Sequence, residues 1–225
     1  MHQKTGRLLV IEGTDGSGKS TQFAKLCARL DAEGQDHHRL VFPQYQEESS
    51  ALIRMYLRGD FGKNPSEVNA FAASAFYAVD RYASYKMHWE AEYARGALFL
   101  ADRYTTSNAV HQAAKLSGTA RRDYITWLSD FEYTRMGLPA PNLVLYLDLP
   151  TGKAMELIRQ REEQGGSADI HETDEAYLAI CREAALQVAQ WEGWTVVSCV
   201  NEAGELRSIE DIHEEVWQLV LPYLR

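Results

Sequence analysis

Residues 7–21 read Arg-Leu-Leu-Val-Ile-Glu-Gly-Thr-Asp-Gly-Ser-Gly-Lys-Ser-Thr. An apolar run of strand type, Leu8–Glu12, passes directly into the spacing G-x-x-x-x-G-K-[ST], with Gly13, Gly18, Lys19 and Ser20 at its fixed positions. A helical pattern follows in Phe23, Leu26, Cys27 and Leu30. Strand before and helix after separate a phosphate-binding loop from a chance glycine-rich turn. The loop's backbone N–H groups, from Gly13 through Thr14, Asp15, Gly16, Ser17 and Gly18 to Lys19, Ser20 and Thr21, cradle phosphate oxygens at the positive end of the helix. Lys19 reaches the β- and γ-phosphates, and the Ser20 hydroxyl is placed to ligate Mg²⁺. This chain is expected to bind a nucleoside triphosphate.

Outward from the loop, four further apolar runs end at polar residues: His38–Phe42, Ala97–Asp102, Leu143–Asp148 and Thr195–Val200. Helical patterns lie between them, among them Phe71, Ala75, Phe76, Val79 and Tyr82, and near the C-terminus Ile209, Ile212, Val216, Leu219 and Val220. Alternating strands and helices predict an α/β fold, a five-stranded parallel sheet with helices on both faces. Asn64-Pro65-Ser66-Glu67 carries a helix-start signature. The run Gly165-Gly166-Ser167-Ala168 interrupts a charged helical region and predicts a small mobile lid over about 161–173. One domain, 1–225, is the expectation.

The chain of 225 residues is 45% hydrophobic with a net charge of −9. An acidic balance argues against nucleic acid as a partner, because phosphate backbones demand a basic face. Cys27, Cys181 and Cys199 are scattered, odd in number and outside metal-ligand spacing, as expected of reduced cytosolic thiols. There is no membrane-length apolar run. The expectation is a soluble, cytoplasmic enzyme without a membrane partner.

Ligands of open α/β sheets gather beyond the carboxyl ends of the strands. There the chain places Phe42-Pro43, a ring able to stack, and Asp102-Arg103-Tyr104. Asp102 suits Mg²⁺ or its water, and Arg103 offers a planar fork for a phosphate; a structural salt bridge is the alternative for that tripeptide. Arg81 stands one helical turn beyond Tyr77, a base-and-phosphate clamp or else a core ring beside a solvated charge. Arg54 follows an apolar helical pattern and reads as a surface charge. Asp169 and Glu172 either hold a metal through water or cap the next helix. Most other charges of 151–163 and 172–192 read as solvated faces.

Taken together these motifs resemble the thymidylate kinases, nucleoside monophosphate kinases that convert dTMP to dTDP with ATP and Mg²⁺. The resemblance covers nearly the whole chain. It rests on the loop Ile11–Thr21, Phe42-Pro43, Tyr77…Arg81, Asp102-Arg103-Tyr104-x-x-Ser107-Asn108, Gly137-Leu138-Pro139-x-Pro141-x-Leu143, and the Asp169-x-x-Glu172 lid. Asp15 is its most specific residue, a carboxylate inside the loop that meets the sugar 3′-hydroxyl or the Mg²⁺ shell. The resemblance implies that Phe42, Tyr45 and Tyr77 line the thymine and sugar pocket, Arg81 lies near the base, and Asn108 hydrogen-bonds its edge. It implies that Arg103 and Arg54 hold the monophosphate, that Asp102 serves the metal or substrate network, and that His111 crowds the ribose 2′ position. His171 and Glu172 would close over the site with the lid, Glu172 on the metal side, and a homodimer is implied.

Three departures stand out. Gly16 occupies a position where one subgroup carries an arginine, no arginine lies between Glu162 and Cys181, and Gln44 stands where relatives place a phosphate-binding arginine. Arg159 and Arg161 are the nearest replacements, so Lys19, Asp15, Arg103 and Arg161 form the expected catalytic set. Kinase action on another deoxynucleoside monophosphate, dUMP or dCMP, is the alternative activity, and a weak nucleotide-binding protein the alternative class. A guanine-specific switch is disfavoured, because the chain contains no Asn-Lys pair.

Overall fold

The computed structural model describes residues 5–62, 64, 67–163 and 175–224, without the side chains of 161 and 162. Five strands form one parallel sheet in the order β2-β3-β1-β4-β5. They are β1 (Arg7–Gly13), β2 (His38–Val41), β3 (Leu98–Asp102), β4 (Leu143–Asp148) and β5 (Thr195–Ser198). The central strand pairs Ile11 with Asp102 on one side and with Leu145 on the other. All five strands point the same way, so Gly13, Val41, Asp102, Asp148 and Ser198 end along one edge.

The period-2 alternation of each strand divides two cores. Leu9, Ile11, Leu100 and Leu145 face α1 (Lys19–Ala32) and α9 (Ile209–Val220), meeting Leu26, Leu30, Val216 and Trp217. Leu8, Val10, Phe99 and Val144 face the opposite way, toward Trp89 and Tyr104. Each such large side chain contributes about 1.5–3 kcal/mol by leaving water. Helix α9 starts at Ser208, whose hydroxyl accepts the Asp211 N–H at 3.0 Å.

The remaining helices build the wall beyond the sheet edge. They are α2 (Ala51–Leu57), α3 (Ala70–Ser84), α4 (Glu90–Ala94), α5 (Thr105–His111), α6 (Gly118–Ser129), α7 (Thr151–Glu163) and α8 (Glu175–Glu192). Wide turns at Tyr85–Trp89 and Asp130–Arg135 extend α3 and α6.

Of the Asn64-Pro65-Ser66-Glu67 signature, Pro65 and Ser66 lie outside the described residues, and helix α3 begins after Asn69. Asn69 caps it, with Oδ1 accepting the Ala72 N–H at 2.9 Å, while the Asn64 carbonyl accepts from Glu67 N. Only the Asn69 side chain satisfies an otherwise orphan N–H of the first turn. Asn69→Ala is therefore expected to lower unfolding free energy by about 1 kcal/mol, and Asn64→Ala to leave it within about 0.5 kcal/mol; urea denaturation of the two variants compares the caps directly.

Candidate active site

The loop after β1 turns through Gly16 and Gly18, both in the left-handed region at φ 80° and 81°. A Cβ at Gly16 would stand 2.8 Å from the Ala154 carbonyl oxygen, so the first turn of α7 seats on the loop backbone. That contact leaves no room for the arginine carried by the other subgroup.

Just upstream, Glu12 is wholly buried. Its carboxylate accepts the Gly13 N–H at 3.0 Å, the Thr106 hydroxyl at 2.9 Å and the Ser107 hydroxyl at 2.7 Å. This acid ties the phosphate loop to α5 and was not singled out in the sequence.

Lys19 is 6% exposed. Burial and the nearby Arg103 charge lower its pKa, against the pull of Asp15, Glu12 and Asp102. Ser20 Oγ lies 3.4 Å from Asp102 Oδ2, and Asp102 Oδ1 is a buried oxygen with no hydrogen-bond partner among the described residues. A hydroxyl beside one carboxylate with an unsatisfied oxygen suits Mg²⁺, which keeps waters and takes its other ligands from phosphates. No cluster of three acidic, histidine or cysteine ligands occurs among the described residues.

Arg103 follows β3 with φ 68°, a conformation costly for a side chain with a Cβ and tolerated where surrounding structure imposes it. Its Nη2 meets Asp15 Oδ1 at 2.5 Å and its Nη1 lies 3.2 Å from His111 Nε2. Burial would raise the Asp15 pKa, yet Arg103, His111 and Lys19 outweigh it and hold the carboxyl well below the usual range. Asp15 is thus committed to Arg103, with Lys19 Nζ 4.0 Å away.

Two clefts meet here, sharing Asp15, Phe42 and Arg103. One, of about 1520 Å³, runs along the phosphate loop to Leu157, Ile158, Cys199, Leu206 and Arg207. Its apolar far end was not foreseen, since those residues are distant in sequence. The other, of about 770 Å³, is lined by Tyr45, Tyr77, Arg81, Asn108 and His111 together with Tyr56, Gln112 and Tyr177.

At the floor of this second cleft Arg81 is 2% exposed and forks onto Glu132, at 2.7 Å from Nε and 2.5 Å from Nη2. Glu132 also accepts from Thr105 Oγ1 at 2.8 Å and Asn108 Nδ2 at 3.4 Å. The ring facing the Arg81 guanidinium is Tyr104, at 6.0 Å, and not Tyr77. The expected clamp is therefore replaced by a buried ion pair, and Tyr77 contributes a separate wall of the cleft. Glu132, 51 residues from Arg81, carried no local signal of this role.

Arg54 does not line either cleft. Its Nη1 donates to the carbonyls of Tyr45 at 2.7 Å and Glu47 at 2.9 Å, bracing the loop that bears Tyr45. Asp80 braces the same loop, accepting Gln44 N–H at 2.8 Å and Ser49 Oγ at 2.7 Å. Arg182 is not a solvated charge, since it forks onto Asp148 at 2.6 and 2.9 Å, whereas Glu183 is exposed and pairs with the buried Arg121. Arg159 is exposed on α7 and lines neither cleft. The Arg161 side chain, and with it Asp169, His171 and Glu172, lies outside the described residues.

Burial, aided by Arg103 and opposed by Asp15, pushes His111 down to about 4. Between pH 6.5 and 4 the unfolded chain binds a proton at this site that the folded chain refuses, so stability falls as pH falls through that window. The expected loss is about 2 kcal/mol by pH 4.5. His111→Gln should remove that portion of the slope when urea unfolding is compared at pH 7 and pH 4.5.

A sequence profile of the thymidylate kinase family matches residues 11–216. A thymidylate kinase from Mycobacterium tuberculosis is 33% identical over 208 residues, 88% of this chain and 94% of that one. The human thymidylate kinase is 30% identical over 154 residues, 68% of this chain and 66% of its own. A solved thymidylate kinase from Candida albicans shares the fold with a TM-score of 0.69 at 20% identity, covering 97% of this chain and 92% of that one. With its phosphate loop, its shared Asp15–Arg103 junction and these relatives, the chain belongs to the thymidylate kinase family.

Proposed function

We propose that the protein transfers the γ-phosphoryl group of ATP to the 5′-phosphate of dTMP, giving dTDP and ADP. The observation that carries this reading is the junction of the two clefts at Asp15 and Arg103, which brings a donor loop and an acceptor pocket to one point. The acceptor oxygen is already ionised, so no strong general base is required. Catalysis reduces to holding the two phosphates in line and balancing the spreading negative charge. Lys19 and Arg103, both beside Asp15, supply positive charge. Asp15 keeps Arg103 oriented and faces the sugar side of the pocket.

The pocket floor fits a pyrimidine with two oxo groups. Asn108 Nδ2 is engaged by Ser74 O at 3.3 Å and by Glu132, leaving Oδ1 to accept an N3–H. Cytosine offers an acceptor at that position and leaves two acceptors opposed. Arg81, held by Glu132 and donating its Nη1 to the Tyr104 carbonyl at 3.3 Å, lines the same cleft. Tyr77, Phe42 and Tyr45 supply ring and sugar contacts, while His111 restricts the space beside Asp15.

Ser20 and Asp102 would hold Mg²⁺, which would supply positive charge against the donor phosphates. The lid role of segment 161–173, with Arg161, His171 and Glu172, rests on the family resemblance. So does the reading of the chain as one kinase unit over 1–225.

Cytoplasmic placement is supported by three buried cysteines, all free; among the described residues no helix is long and apolar enough to cross a membrane. A homodimer is supported by Phe71, Val79 and Tyr82, exposed on one face of α3 at 42%, 45% and 40%.

A coupled ADP-release assay with ATP, Mg²⁺ and a panel of dTMP, dUMP and dCMP is expected to give turnover with dTMP. The expected preference is about 10–200-fold over dUMP, as one methyl allows, and greater still over dCMP. Lys19→Ala should lower kcat by at least about 10³-fold; normal activity in that variant would overturn the mechanism. In sedimentation analysis the wild-type chain is expected to pair, and Val79→Glu to shift it to monomer.

A further inference from the structure

Helix α8 packs against α5, and where they meet His111, the last residue of α5, faces two side chains of α8. Cys181 is wholly buried, with Sγ 3.7 Å from His111 Nδ1. Tyr177, one turn earlier, hydrogen-bonds the same cysteine, and its ring lies nearly parallel to the imidazole with 6.5 Å between centroids. On the other side of the imidazole, Nε2 lies 3.2 Å from Arg103 Nη1. One ring nitrogen thus addresses α8 and the other the phosphate-holding arginine.

Donor counting fixes where the imidazole proton sits. Burial pushes the His111 pKa down to about 4, so at pH 7 the ring is neutral, with one N–H and one bare nitrogen. A guanidinium has donors only, so the nitrogen facing Arg103 is the acceptor. Nε2 is therefore bare, and Nδ1 carries the proton and donates it to Cys181 Sγ. The opposite tautomer would set Nε2–H against Nη1–H, two donors opposed.

The consequence falls on Arg103. Its Nη2 meets Asp15 at 2.5 Å, and one contact leaves a guanidinium free to turn about it. A second contact, on Nη1, fixes the plane of the fork. Two of its five N–H donors are then spent on the protein and three remain for a phosphate. We propose that His111, kept as its Nδ1–H tautomer by Cys181, is a positioning residue that sets the guanidinium plane of Arg103 against the acceptor phosphate. This deepens the dTMP reading and rests on it. His111 acts through Arg103, and Cys181 through His111.

The tautomer is tested without ligand. Long-range ¹H–¹⁵N correlation of the histidine-labelled protein, with the His111 signals identified by their loss in His111→Gln, is expected to show Nδ1 protonated and Nε2 bare. Cys181→Ala should bring in the Nε2–H form, and Cys181→Ser, whose hydroxyl still accepts, should not. Titration calorimetry then separates positioning from packing. His111→Leu is expected to weaken dTMP binding about tenfold, the size of one hydrogen bond. Thymidine, which lacks the phosphate that Arg103 meets, should weaken by less than about twofold. His111→Gln, whose amide oxygen can accept from Arg103, should recover dTMP affinity to within about threefold of wild type. In an Arg103→Ala background, His111→Leu should change dTMP affinity by less than about twofold. An Nε2–H ring in the wild type, an unchanged ring in Cys181→Ala, or equal weakening of dTMP and thymidine by His111→Leu would overturn the inference while dTMP binding stands. Failure of the wild type to bind dTMP would overturn the substrate reading and the positioning role with it.

Discussion

The ion pair between Asp15 and Arg103 is the contact on which the rest of the site depends. Asp15 belongs to the nucleotide loop and Arg103 to the end of the neighbouring strand, so their 2.5 Å contact sets where the donor side ends and the acceptor side begins. Its partners share the work of holding it. Arg103 takes a backbone conformation that only surrounding structure can enforce, and His111 meets the other arm of its guanidinium. Glu12, one residue before the loop, binds it to α5 through Thr106 and Ser107. The two clefts therefore keep their relation through the core of the molecule, without reliance on an exposed segment.

Buried acids recur as organisers here. Glu132 holds Arg81 and Asn108 at the cleft floor, and Asp80 holds the loop bearing Tyr45. Each is satisfied by two or more donors, as a buried carboxylate must be. Burial opposes the Arg81 charge, and Glu132 more than offsets it. An arginine fixed in this way presents a rigid edge to a base, unlike one free to follow solvent.

What the sequence disclosed follows from how local each signal is. The phosphate loop is a contiguous motif, and parallel strands covered on both faces read as plain apolar runs, so β1 and the strand from Leu143 to Asp148 appear at nearly their observed bounds. Asp102 and Arg103 could be placed because strand ends are fixed by topology. Glu132 could not, because an acid in a charged stretch looks the same whether it faces water or an arginine 51 residues away. The Tyr77–Arg81 pair was assigned from helical spacing, which gives the face of a helix but not the partner across from it, and Arg54 from resemblance alone, which does not show what its guanidinium meets. The cap of α3 at Asn69 was passed over because it lacks the proline and acidic first turn by which a helix start is read.

The close seating of α7 on Gly16 carries a consequence for how such enzymes diverge. With the Ala154 carbonyl 2.8 Å from any added Cβ, and the Ile158 side chain at 3.1 Å, an arginine cannot enter the loop by a single substitution in this background. The helix would have to withdraw first, and that withdrawal would expose apolar surface before the new charge gained a function. Loop and helix are thus coupled, and a side chain at position 16 has to be matched by a displaced α7. A lineage that has settled helix on loop is held to that arrangement until several positions change together.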